Sequence, residues 1–166
     1  MPLELISRIT YDMDCANDAA LLLGRLLVAA LFVPGGFNKL IAFSGFTASL
    51  AAKGLPYPEV WAVLAVAAEL GGGLAVLLGF QTRWAALLLI AFTVMASGTS
   101  HRFWEYADPE RRGQSINFWK NAAIMGGFLF LYVSGPGAWS VDAWLRRARR
   151  GDVPAGYGDS EACYGR

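Results

Sequence analysis

The sequence predicts an all-α membrane protein, a four-transmembrane-helix bundle with a short amphipathic C-terminal surface helix. Three observations predict it. Apolar runs of about 20 residues recur along the chain, enough at a rise of about 1.5 Å per residue to cross hydrocarbon about 30 Å thick. Glycines lie inside those runs, as in helices that pack closely in lipid. Charge is scarce, 16% of 166 residues against 55% hydrophobic, with a mean hydropathy of +0.40. What charge there is gathers at the chain ends and in one loop. The division that follows is a polar, amphipathic tail over residues 1–18, a membrane domain over residues 19–142, and a basic surface helix with a flexible tail over residues 143–166.

The tail carries apolar residues at Leu3, Ile6, Ile9 and Met13, a spacing that fits an amphipathic helix on a membrane surface. It lacks the positive start of a signal peptide, so no cleavage is predicted. The first span, Ala19 to Ile41, is interrupted by Arg25, Pro34, Gly35 and Gly36. Pro34 removes a backbone donor and is expected to kink or unwind the far end. A short helical piece follows within Phe43–Pro58, closed by Gly54 as a C-terminal cap. The second span, Val60 to Leu78, holds one ionisable residue, Glu69, at its middle.

A turn of about five residues, Gly79 to Arg83, makes the second and third spans antiparallel neighbours. The third span is Trp84 to Ser100, followed by the one histidine, His101, and a polar loop from Arg102 to Asn117. The fourth span is Phe118 to Val133, ended by the SGPG of Ser134 to Gly137. Ser140 to Arg150 reads as a surface helix with Ser140 as cap, Asp142 in its first turn and arginines in its last. Its basic end suits anionic headgroups. Residues after Gly151, rich in Gly, Asp and Ser, are expected to be disordered. Four spans put both termini on one side, and RRARR with Arg83 marks that side as cytoplasmic, although Arg111 and Arg112 then fall outside.

Antiparallel alternation gathers Asn38, Lys39, His101, Trp104, Lys120 and Asn121 at one membrane face, with Asn117 nearby. Taken singly, Lys39 and Lys120 read as lysines snorkelling from span ends. Taken together, two cations, an imidazole and amides could hold a quinone head group or a small anion. Glu69 at mid-membrane is costly by about 2.5 to 3.5 kcal/mol and must be protonated, paired or turned inward. An intramembrane ion pair between Glu69 and Arg25 is expected, the alternative being an Arg25 that snorkels to headgroups.

Several chemistries are excluded. One histidine cannot give the two axial ligands of a bis-His haem, and two cysteines cannot hold an iron–sulfur cluster. No dinucleotide fingerprint follows a strand. No metal site is expected. Cys15 and Cys163, in the two tails without zinc spacing, read as free thiols. The basic residues flank helices without forming a stripe among aromatics, so nucleic acid is not a predicted partner. The bilayer is, together with protein partners in a membrane complex. The chain would hold no intrinsic cofactor, and a redox role would need a bound quinone or a partner carrying the redox centre.

The segments GRLLVAALFVPGGFNKL, KGLPYP, AELGGGLAVLLGFQTRWAALLL, SHRFW, NFWKNAAIMGGFLFL and GPGAWSVD together resemble the DoxX family of small bacterial four-helix inner-membrane proteins, over roughly Ala19 to Asp142. The resemblance implies the four-span bundle. It also implies that Arg25, Lys39, Glu69, Gly71, Gly72, Arg83, His101, Lys120 and Asn121 are the family's polar and glycine positions. Members of the wider group are membrane subunits of thiosulfate:quinone oxidoreductase or parts of oxidative-stress assemblies. Three functions follow as expectations: a subunit of a quinone-linked oxidoreductase or redox-stress system, a non-enzymatic accessory subunit of a respiratory or photosynthetic complex, and a small-solute or proton conduit around Glu69 and Arg25.

Overall fold

The computed structural model describes residues 2–150, with side chains from residue 13 onward, and all of its regular elements are helical. No Gly or Pro stands between Pro2 and Gly24, so nothing stops a helix there, and the expected tail helix and first span form one element. This is α1, Pro2–Ile41. It is not unwound at Pro34, where Gly35 and Gly36 lie tight against a neighbouring helix. Then come α2, Phe43–Ala52, α3, Pro58–Val66, a π-helical turn, Ala67–Gly71, and α4, Gly72–Leu78. The last three make one continuous helix, Pro58–Leu78. It is followed by α5, Thr82–Ser100, a 3₁₀ turn, Phe103–Glu105, α6, Glu110–Ser134, and α7, Val141–Arg150.

The expected caps form. Gly54 has φ +78° and donates to the Ala51 carbonyl, while Leu55 N–H reaches back to Leu50. Gly135, at φ +77°, ends α6 by donating to Leu131. The Ser140 hydroxyl accepts from Ala143 N–H at the start of α7.

Three helical segments are long and apolar enough to cross a membrane: Met13–Ile41, Pro58–Leu78 and Thr82–Glu105. The expected fourth span lies inside α6, which is 25 residues long but polar through its first half. Arg111, Arg112, Gln114, Asn117, Lys120 and Asn121 all precede its apolar stretch. The loop expected over Arg102–Asn117 is shorter than that, because α6 already starts at Glu110. Helix propensity there comes from Glu, Arg and Gln, which an apolar pattern does not register. The disorder expected after Gly151 lies outside the described residues.

Phe32 of α1 is the centre of the bundle. Its ring meets Phe128 of α6 at 5.4 Å and Phe92 of α5 at 6.4 Å. Val76, Ala85, Ala86, Leu89 and Leu131 complete this core. Around it the surface is strongly apolar: Leu27, Ile41, Trp84, Phe130 and Val133 are each at least 66% exposed. A band of that kind has no place in water and suits contact with lipid.

Glycines fix how α1 crosses the second span. A Cβ on Gly36 would fall 2.7 Å from the Leu70 backbone nitrogen, and one on Gly73 would fall 3.1 Å from Phe32 Cβ. The backbones can approach this closely only because no side chain stands between them. The crossing therefore matches residues 32–36 of α1 to residues 69–73 of its neighbour, and this register decides which charges can meet.

Candidate functional site

Glu69 sits inside the π turn. The run AELGGG combines a carboxylate with three glycines, weak helix formers that let the hydrogen-bond ladder slip by a residue. Gly35 lies opposite, where an added Cβ would come 2.5 Å from a Glu69 carboxylate oxygen. One turn further along α1, Lys39 Nζ donates to Glu69 Oε2 at 2.6 Å. The Glu69 side chain is 10% exposed and the Lys39 side chain 30%. Phe46 of α2 places its ring 5.8 Å from the ammonium. The result is a short ion pair on irregular backbone, closed on the carboxylate side and partly open on the ammonium side.

This corrects the expected pair of Arg25 with Glu69. Arg25 is ten residues, about 15 Å, from the level of Gly35, beyond the reach of its side chain. Lys39, four residues away on the other side, is within reach. The conduit reading, built around Glu69 and Arg25, would have to join groups held at different levels of the bundle.

The other expected site residues divide into two groups. Where α5 leaves the bundle, His101 Nδ1 lies 2.9 Å from Gln114 Oε1, and Asn121 Nδ2 donates to the buried Ser97 hydroxyl at 2.9 Å. Ser97 donates in turn to the Thr93 carbonyl. Lys53, beyond α2, reaches Ser100 at 2.7 Å. Asn38 is exposed, Lys120 bonds Asn117 within its own helix, and Trp104 stacks edge-on with Phe103 and Phe118 while 56% exposed. Among the described residues no hydrogen bond links these groups to Lys39 or Glu69, and no group of His, Cys, Asp or Glu could hold a metal.

A second polar cluster occupies the opposite end. Arg25 is 1% exposed, and its Nη2 donates to the Trp139 carbonyl. Its Nε and Nη1 have no hydrogen-bond partner, and Asp142 is the acid whose field acts on it. The Asp142 carboxylate accepts from Gln81 N–H at 2.8 Å, Thr82 N–H at 3.0 Å and the Thr82 hydroxyl at 3.1 Å. Asp142 N–H donates to the Gly79 carbonyl, and Asp18 accepts from Ala138 N–H. The GPGAWSVD segment is thereby clasped onto the middle of α1, at Asp18 and Arg25, and onto the α4–α5 turn.

Sequence reasoning places Asp142 only in the first turn of α7 and assigns no role to Gln114, Ser97 or Asp18. The helix-start position of Thr82 after a tight turn was the available signal for an acid cap, without naming which acid. Cys15 is disulfide-bonded, so the free-thiol reading is wrong for it, and Cys163 lies outside the described residues.

With this geometry in place, comparison with known proteins gives a consistent picture. The DoxX family model matches residues 20–102. The chain is 36% identical to inner membrane protein YphA of Escherichia coli (strain K12) over 132 residues, 80% of this chain and 94% of that protein. It is 36% identical to inner membrane protein YqjF of the same organism over 135 residues, 81% of this chain and 98% of that protein. A more distant likeness, 25% over 135 residues, is to the ER-derived vesicles protein ERV29 of Saccharomyces cerevisiae (strain ATCC 204508 / S288c), of which the match covers 36%. No solved structure matches the chain. The family match takes in Arg25, Lys39, Glu69 and His101, polar positions found at the two ends of the bundle, and this helical membrane protein belongs to the DoxX family.

Proposed function

We propose that the chain is a membrane subunit of a quinone-linked redox system, with the Lys39–Glu69 pair as the polar end of a quinone head group site. The observation that supports this reading is the pair itself, 2.6 Å long and set in a π turn beside Gly35, with the Lys39 side chain 30% exposed. π turns are frequent at functional sites, and an ionisable pair inside a span is by default functional. A quinone supplies the capacity to accept two electrons and two protons. The electrons come from a partner subunit that carries a redox centre. Lys39 donates a hydrogen bond to an oxygen acceptor, and Glu69 holds or passes a proton.

The protein extracted in mild detergent is expected to carry quinone into an organic extract, and Lys39→Met to lower that occupancy. A charge-assisted hydrogen bond of about 1.5 to 3 kcal/mol corresponds to a loss of roughly 10- to 100-fold in affinity. Quinone-free wild-type protein, or undiminished occupancy in a folded Lys39→Met variant, overturns the reading.

In this reading α6 crosses as a fourth span, in the bacterial inner membrane named for the two Escherichia coli relatives. Both termini are cytoplasmic, since Arg83 and the arginines of α7 lie on their side. Reporters at either terminus should signal from the cytoplasm, and one inserted within residues 102–117 from the periplasm. A periplasmic C-terminus contradicts this orientation.

One observation favours a second reading, an accessory subunit of a larger membrane complex. Added Cβ atoms at Gly126 and Gly127 of α6 would meet nothing within 4 Å, and Phe130 is 79% exposed. A face of that kind suits close packing by another helix. Co-purification of a stable larger complex without quinone would select it.

A further inference from the structure

The geometry points to a phosphodiester site for an anionic phospholipid in the cleft between the start of α5, the exit of α6 and the start of α7, held by Arg83 and Arg146. The cleft measures about 580 Å³ and is lined by both arginines, Trp84, Ser134 and Asp142, among others. Its acid is already engaged: both Asp142 oxygens accept hydrogen bonds from Gln81 and Thr82. The two cleft arginines are not so engaged. Arg83 has one long contact, 3.5 Å to the Val133 carbonyl, and among the described residues Arg146 has neither an ion pair nor a hydrogen bond. A second cleft of about 340 Å³ adjoins the first at Arg146 and adds Arg147 and Arg150. Guanidinium groups gathered in a concave surface, neither of them in an ion pair with an acid among the described residues, suit phosphate oxygens, which they bind in pairs.

Position decides the source of that phosphate. Trp84 lies near the start of a membrane-crossing helix and is 71% exposed, and Trp144 on α7 is 59% exposed. Exposed indoles beside arginines at a span end mark headgroup depth, where basic pockets between helices take anionic lipids. Acyl chains then lie along the apolar outer face of α5. This inference rests on the membrane reading and not on the quinone site at the opposite end, so either can fail alone.

Thermal unfolding of the full chain in a non-ionic detergent tests it. Added phosphatidylglycerol should raise the melting temperature by roughly 5 °C near saturation, whereas phosphatidylcholine and inorganic phosphate should not. Arg83→Gln with Arg146→Gln should abolish the shift. Arg149→Gln, which lines neither cleft, should keep it. Arg111→Gln with Arg112→Gln, at the other end, should keep all of it. Native mass spectrometry of the wild type should show one phosphatidylglycerol retained per chain, which tests the site even if a variant fails to fold. An equal shift with phosphatidylcholine, a shift with inorganic phosphate, or equal losses in the 83/146 and Arg149→Gln variants would overturn the proposal, the last by showing diffuse surface attraction.

Discussion

Lys39→Met and Glu69→Gln should each lower the stability of the detergent-solubilised protein more than the two changes made together. The pair is 2.6 Å long, and stranding one partner of a buried pair costs about 3 to 5 kcal/mol in soluble proteins, while replacing both with apolar or neutral groups is often near neutral. The two single effects should differ in size. Lys39→Met leaves a carboxylate that is 10% exposed, so it should be the more damaging. Glu69→Gln leaves an ammonium that is 30% exposed, able to turn toward water or headgroups, and its cost should be well below that range. A denaturation series on the four proteins reads the coupling directly. Simple additivity would mean that the pair contributes nothing and that each residue is held separately.

Asp142→Ala should be the most damaging single change at the opposite end. It leaves the Gln81 and Thr82 N–H groups and the Thr82 hydroxyl without their acceptor and takes the neighbouring negative charge from Arg25. Losing several hydrogen bonds to a charged group, with a buried cation left behind, should cost about 3 kcal/mol or more. Arg25→Met should be milder, because it removes two buried nitrogens that already lack partners and forfeits one hydrogen bond to the Trp139 carbonyl, worth about 1 to 3 kcal/mol. Adding Arg25→Met to Asp142→Ala should then recover part of the loss. Chemical denaturation in detergent gives the order, and proteolysis within residues 134–140 reports release of the clasp. If Arg25→Met proves the worse of the two, Asp142 does not act through Arg25.

The positions of α1, the Pro58–Leu78 helix and α5 were legible as apolar runs, because a span writes itself into composition over about 20 residues. The cap residues Gly54, Gly135 and Ser140 were legible for a similar reason, since each acts within a few residues of itself. Glu69 was legible as a problem, but its partner was not. Which cation reaches it depends on a crossing register set by Gly36 against Leu70 and Gly73 against Phe32, and hydropathy carries no information about register. Asp142 was hidden by distance, serving a helix start 60 residues upstream. His101 bonds Gln114 and Asn121 bonds Ser97, neighbours that the pattern of charges did not name, while Lys120 bonds Asn117 within its own helix. The polar first half of α6 was lost because helix-forming Glu, Arg and Gln look the same in a solvated loop and in a helix.

The clasp at one end has a mechanical consequence. There, Asp142, Asp18 and Arg25 tie the α6–α7 connection to α1 and to the α4–α5 turn. At the other end the bonds run within two separate halves, Lys39 to Glu69 in one and Asn121 to Ser97 and His101 to Gln114 in the other. Among the described residues the side-chain hydrogen bond joining those halves there is from Lys53 to Ser100, between exposed groups. Hydrogen bonds between the halves are thus concentrated at the arginine end, with the Phe32–Phe128 contact between the two ends. Were the halves to part, they would do so first beside Lys39, where fewer side-chain bonds join them, and a flat, lipid-soluble molecule would then enter sideways from the bilayer and not along the axis of the bundle.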